Sequence, residues 1–351
     1  MSEFKKPFIS IGITTYNRKH LLKRCLESLL NQTHGDFEVI VGNDYVSEEL
    51  SGDLLGINDA RIKFVNHQHN LGERKNLNAL LELATGEFFT WQFDDDFYAT
   101  NYVEKIADIA ERYPGIQCVF TSFRKVFDGN VPSVRSPGKA FGGYVLSGKQ
   151  FLRKYLNHKL RAMGLTGAYR LTFLKRIEGV ATLSQGPFAL YSEYLLLIQA
   201  AARGSVGYVN DPLVYYNLHG GSWSNVNTEL DLYRDAGINL IEKCLEEFRS
   251  ASLVQDLNQN TKHLVKLVFH DYAKKFATKP GFQGIRDMSR FFAEDLAKYL
   301  AVEKERTLIQ RWALVFTRWK WSIFPLIKTK LKRLVPPNIL IYLLRIHARF
   351  Q

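Results

Sequence analysis

Along the first half of the chain, short apolar runs alternate with stretches of helical period. Residues 8–14 (FISIGIT) form a β-branched apolar run, and in 18–31 the positions Leu21, Leu22, Cys25, Leu26, Leu29 and Leu30 recur at helical spacing. Residues 37–42 and 61–65 predict two more strands, and 73–84 predicts a helix that stops before Gly86. Residues 88–93 (FFTWQF) read as an apolar strand running directly into Asp94, Asp95 and Asp96. A helix over 102–112 and a strand over 118–123 follow. Strands that are apolar throughout and separated by helices imply an α/β domain with a parallel sheet covered on both faces. In such sheets the ligand site lies beyond the carboxyl ends of the strands.

Further along, 128–143 is rich in Gly, Pro and Ser and predicts a mobile loop. Helices are expected over 147–157 and 188–203, and short strands over 206–210 and 213–216. Beyond 227 the pattern is helical, through 248, 263–277 and 288–302. The expected organisation is an α/β domain over 1–226 and a helical region over 227–351 that ends in a basic tail from about 306.

Composition sharpens this reading. The 351 residues are 46% hydrophobic and 23% charged, which excludes disorder as the overall state and gives material for a sizeable core. The cysteines Cys25, Cys118 and Cys244 are far apart, so neither a disulfide framework nor a zinc cluster is expected, and a reducing compartment fits. No secretory signal and no apolar stretch long enough to span a bilayer is read from the sequence. The net charge is +12, yet 306–351 holds ten Lys or Arg and no acid, so the tail supplies +10 of it.

The most informative cluster is Asp94-Asp95-Asp96. Adjacent carboxylates at a strand terminus repel one another unless they are solvated as an acidic turn or neutralised by a cation. A hard divalent ion held by one or two carboxylates, with diphosphate oxygens completing its shell, would answer that repulsion.

Around this cluster stand Thr14-Thr15-Tyr16-Asn17-Arg18 after the first strand, Asn43-Asp44 after the second, Asn70-Leu71-Gly72 with Arg74, and Ala84-Thr85-Gly86-Glu87 before the acids. In this order and spacing the N-terminal third resembles the nucleotide-binding half of a family 2 glycosyltransferase. The resemblance implies the GT-A fold, a nucleotide-sugar donor with a pyrimidine base (UDP or dTDP), and Mn2+ or Mg2+. It implies that Thr14 and Tyr16 line the base pocket, with Arg18 beside them, and that Asp44 and Arg74 reach the base or ribose. Phe93 stands where the family's first metal-motif aspartate usually lies. The ribose contact then falls to Asp94 or Asp96, and Asp95 becomes the first choice for the metal, with Asp96 and His219 as further ligands.

For an inverting transfer, a carboxylate must take the proton of the attacking acceptor hydroxyl. The segment Ser192-Glu193-Tyr194 resembles the family's base-bearing helix start, which makes Glu193 the expected base. A helix N-terminal acid favoured by the dipole is the plainer account of the same residue. His219, before Gly220-Gly221, stands where relatives carry a His near metal or diphosphate, as a ligand or as a cation facing the departing charge.

Two other classes compete. A nucleic-acid-binding protein would use the basic tail and Trp312, Trp319 and Trp321. A nucleotidyltransferase would need a Gly-rich loop after the first strand, where this chain has Thr-Thr-Tyr-Asn-Arg. The tail sets Trp312, Val315, Phe316, Trp319 and Ile323 on one helical face beside Arg311 and Arg318. That pattern suits an anionic membrane surface better than nucleic acid. The expected place is therefore cytoplasmic, peripheral at the inner face of the cell membrane, with a glycan or lipid-linked oligosaccharide as acceptor in surface polysaccharide biosynthesis.

Overall fold

The structure is a computed structural model of the chain that describes residues 6–127, 143–219, 229–249, 253–276 and 290–300. Most of the expected loop at 128–143 and all of the basic tail lie outside the described residues. The chain divides into two compact units, 1–263 and 264–351.

In the first unit the strands are β1 (Ile9–Thr15), β2 (Phe37–Asn43), β3 (Ile62–Asn66), β4 (Phe88–Phe93), β5 (Phe97–Tyr98), β6 (Cys118–Phe127), β7 (Tyr144–Ser147), β8 (Ala168–Arg170) and β9 (Ser205–Leu218). The helices are α1 (Lys19–Leu30), α2 (Gly52–Leu55), α3 (Glu73–Leu83), α4 (Tyr102–Arg112), α5 (Gly148–Leu156), α6 (Leu171–Arg176), α7 (Ser192–Ala202) and α8 (Leu230–Arg249). Helix α9 (Leu257–Phe276) runs across the point where the units part.

One sheet, ordered β3-β2-β1-β4-β8-β6-β9-β5 with β7 on β9, carries the fold. β3, β2, β1 and β4 are mutually parallel, as the apolar runs imply. β1 and β2 are buried along their whole length, so every side chain packs under a helix on one face or the other. The amphipathic α1 buries Leu22, Cys25, Leu26 and Leu29, and α4 buries Tyr102, Val103, Ile106 and Ile109. Each such aliphatic side chain contributes about 1.5–3 kcal/mol when fully buried.

The rest of the sheet adds short antiparallel strands to this core, so the sheet is mostly parallel, as expected. β8 lies antiparallel between β4 and β6, and β5 and β7 run antiparallel to β9. These strands are two to four residues long, too short for an apolar period to show. The two short strands expected over 206–216 are one strand of fourteen residues, β9, whose pairing with β6 shifts register between Thr121 and Phe123. The helix expected from 188 begins instead at Ser192, because Tyr191 before it adopts φ 57°. Helix α8, read from the sequence as the start of the C-terminal region, packs within the first unit. Its Glu247 pairs with Arg203 at 2.6 Å, and its Tyr233 meets Tyr191 edge-on.

In the second unit the described residues are the C-terminal part of α9 and a short π and 3-10 stretch over 292–299.

Candidate active site

The parallel register brings the carboxyl ends of three strands to one level: Thr15 pairs with Asn43 and Thr14 with Phe93. Tyr16, Asp44 and Asp94 are therefore the first residues beyond the sheet edge, where ligand crevices of such sheets form. After Asp96 the chain continues into β5, whose Phe97 and Tyr98 pair antiparallel with Tyr215 and Val214 of β9. That pairing folds the end of β9, with Asn217 and His219, back onto the acidic cluster.

The three aspartates meet three different environments. Asp94 is fully buried, accepts a 2.7 Å hydrogen bond from the Thr15 hydroxyl, and is gripped by Arg18 at 2.6 and 3.1 Å. Burial raises its carboxyl to about 7, against the pull of Arg18. Asp95 is nearer solvent. Its Oδ2 lies 3.2 Å from Arg18 Nη1 and 3.0 Å from His219 Nε2. Asp96 is fully buried, with Oδ1 accepting from the Asn217 backbone N–H at 2.8 Å and Oδ2 without a hydrogen-bond partner. Burial, reinforced by Asp95, drives its pKa well above the carboxylate range.

The repulsion argued from the sequence is thus answered inside the chain. Arg18 supplies a counter-cation to Asp94 and Asp95, while burial pushes the Asp94 and Asp96 carboxyls up. Arg18 reaches back because Asn17 before it adopts φ 52°, a left-handed conformation that Asn tolerates better than most residues.

Tyr16 is 51% exposed and stands edge-on to Tyr45, with ring centroids 5.4 Å apart. Thr14 is buried in the sheet beneath them. Asp44 is buried and spends both carboxylate oxygens on backbone N–H groups, Leu71 at 2.6 Å and Gly72 at 2.8 Å. Gly72 sits at φ 78° at the start of α3, pressed so closely on Pro187 that a Cβ would collide. Arg74 donates its backbone N–H to the Pro187 carbonyl at 2.9 Å, and its half-buried side chain leaves Nε without a hydrogen-bond partner.

Glu193 occupies the first turn of α7, half-buried. The loop ahead of β8 ties it to the strand end: Leu165 carbonyl accepts from Trp91 of β4 at 3.1 Å, while Gly164 lies against the Glu193 backbone with no room for a side chain.

Residues 10–175 match the family model described as glycosyl transferase family 2. Over that stretch, just under half of its length, the chain is similar to this family. EpsH of Bacillus subtilis, a protein named as a glycosyltransferase, is 29% identical over 223 residues, 61% of each chain. The GalNAc(5)-diNAcBac-PP-undecaprenol beta-1,3-glucosyltransferase of Campylobacter jejuni is 37% identical over 93 residues, 26% of this chain and 30% of the relative. The matched region thus spans less than two thirds of either relative. Among solved structures, S. aureus TarS 1–349 in complex with UDP-GlcNAc superposes with TM-score 0.63 over 88% of each chain at 17% identity, which supports the GT-A fold.

The divalent ion implied by the resemblance finds a partial fit in this chain. Asp95 and His219 present an oxygen and an imidazole nitrogen close enough to share an ion. Asp96, expected as a ligand, instead faces inward onto Asn217. No group of three or more His, Cys, Asp or Glu side chains among the described residues is arranged to hold a metal.

Sequence reading missed Thr15, Tyr45 and Asn217. Tyr45 was findable as an aromatic just beyond a strand end, opposite Tyr16. Asn217 acts through its backbone, so its side-chain identity carries no signal.

Proposed function

We propose that this family 2 glycosyltransferase moves a sugar from a UDP- or dTDP-linked donor to a hydroxyl of a glycan or lipid-linked oligosaccharide, with inversion and with Mn2+ or Mg2+. The observation that carries the reading is the meeting of Asp95 and His219, 124 positions apart, at 3.0 Å, at the same strand-end edge as the Tyr16–Tyr45 pair, of which Tyr16 is exposed. An open aromatic face next to an anionic and imidazole pair suits a nucleobase and its diphosphate.

In this reading the base rests against Tyr16 and Tyr45, and Arg74 turns its unpartnered Nε toward it. Asp44 acts through the 70–72 turn that it holds, and Arg18 keeps Asp94 and Asp95 in place. Asp95 and His219 would hold the divalent ion, which when bound offsets the charge of the diphosphate leaving group. Glu193 takes the proton of the acceptor hydroxyl as that oxygen attacks the anomeric carbon from the face opposite the diphosphate. Uridine is the first donor to test, because the TarS fold neighbour was crystallised with UDP-GlcNAc and with UDP.

A lipid-diphosphate acceptor is suggested by the activity for which the C. jejuni relative is named, and with it a place in surface polysaccharide biosynthesis. No helix among the described residues is long and apolar enough to cross a membrane. Peripheral attachment at the cytoplasmic face would come from the basic tail from about 306, which ends a helical region over 227–351 that follows the catalytic domain over 1–226. The family match selects this reading over a nucleotidyltransferase.

Calorimetry of UDP with and without Mn2+ tests the core of the proposal. Asp95→Asn should remove the metal-dependent part of the affinity while the protein stays folded. Undiminished metal-dependent affinity in that variant would sink it.

A further inference from the structure

A separate cleft of about 340 Å³ opens between the segment before α7 and one face of α8. Its volume lies at the small end of ligand sites. Thr182, Ser184 and Gln185 line it from the segment, and Asp235, Asn239 and Lys243 from the helix, at positions i, i+4 and i+8 that share a face. Ser184 is 6% exposed, yet its Oγ has no hydrogen-bond partner. A buried hydroxyl left unpaired costs free energy unless something outside the chain completes it. Asn239 spends its Nδ2 on the Leu183 carbonyl at 2.7 Å, which fixes the two walls relative to each other.

The segment that forms this wall is also tied to the transfer site. Ala181 carbonyl accepts from the Ser192 hydroxyl at 3.0 Å, one residue before Glu193. Further on, Pro187 seats on Gly72, and Ala189 N–H donates to Glu73 at 3.0 Å, at the start of α3.

We propose that the cleft between residues 182–185 and α8 binds a sugar ring of the acceptor, one removed from the hydroxyl that is glycosylated. The assignment rests on the glycosyltransferase reading above. The chemistry of the walls favours a sugar over a phosphate or a nucleotide. Two hydroxyls, two amides, one carboxylate and one ammonium offer mixed donors and acceptors with no net charge and no aromatic platform. That set suits a neutral ligand carrying several hydroxyls, each able to donate and accept.

The test uses the full chain, a glycan array of bacterial surface oligosaccharides, and calorimetry with the strongest array binder. UDP is titrated into the same samples, so loss of UDP binding counts against the donor reading and not against the cleft. The double variant Asp235→Ala/Lys243→Ala should weaken the oligosaccharide roughly tenfold or more and leave UDP affinity unchanged. Ser184→Ala should also weaken it without lowering the melting temperature, since the hydroxyl has no partner in the protein to lose. Wild-type oligosaccharide affinity in both variants would overturn the assignment. So would a wild-type protein that binds UDP but no glycan on the array.

Discussion

Asp44→Asn separates a residue that touches the nucleotide from one that builds the surface the nucleotide rests on. The carboxylate of Asp44 accepts from the N–H groups of Leu71 and Gly72 at 2.6 and 2.8 Å, one on each oxygen. Asparagine keeps one accepting oxygen but turns an NH2 toward the second N–H, so one bond is lost and two donors face each other in a buried place. Hydrogen bonds to charged groups are worth about 1.5–3 kcal/mol each, which puts the cost at roughly 2–3 kcal/mol. For a unit of this size that is a fall in melting temperature on the order of 5–10 °C. Because Gly72 begins α3 and is seated against Pro187, the damage should stay local to the 70–74 turn. Hydrogen exchange read by mass spectrometry should show faster exchange in the peptide covering Leu71 and Gly72, with β1 and β2 still protected. UDP affinity should fall as a consequence of the loosened turn. Loss of UDP binding with unchanged melting temperature and unchanged exchange at the turn would refute the reasoning and return Asp44 to direct ligand contact.

Other outcomes follow from the same structure. Burial of Glu38 works to raise its pKa, but bonds from Lys63, Thr85 and Ser10 outweigh it and hold the group at about 2 rather than 4.5. Discounted for the exposed Lys63, this depressed pKa is worth about 2 kcal/mol, present above pH 4.5 and lost as the pH falls toward 2. Urea titrations should therefore find Glu38→Gln less stable than wild type at pH 7, with the gap shrinking below pH 4.5 and nearly closed by about pH 2, and a pH-independent gap would contradict this. Glu193→Gln should bind donor normally while transfer slows roughly 10²–10⁴-fold, as expected for loss of a general base. Retention of the donor's anomeric configuration in the product would refute the mechanism, and near-normal turnover would refute the residue. Removal of 306–351 should weaken sedimentation with anionic vesicles, increasingly at low salt, while donor hydrolysis persists. If the truncated chain unfolds, or if the full chain ignores the vesicles, the tail is a packing element.

The strand before the acids was legible because its signal is local. Phe88–Phe93 is an uninterrupted apolar run, and the bounds read for it and for the helix Tyr102–Arg112 are those of the structure. A buried parallel strand must be apolar on both faces, so composition alone marks it. The motif residues after β1, β2 and β4 were legible for a related reason: parallel strands in register end together, so the residues that follow them share one edge. What the sequence withheld were the partners. Three adjacent aspartates look equivalent in one dimension, yet β5–β9 pairing buries Asp96 on Asn217, Arg18 claims Asp94, and only Asp95 stays close to solvent beside His219. Short antiparallel strands such as β5 and β8 have no period to read, because their stability comes from the strands they join. Local pattern determined which segments form strands and helices and where a ligand would lie; the division of roles among neighbouring charges was decided by contacts across 76 to 124 positions of chain, which only the folded sheet brings together.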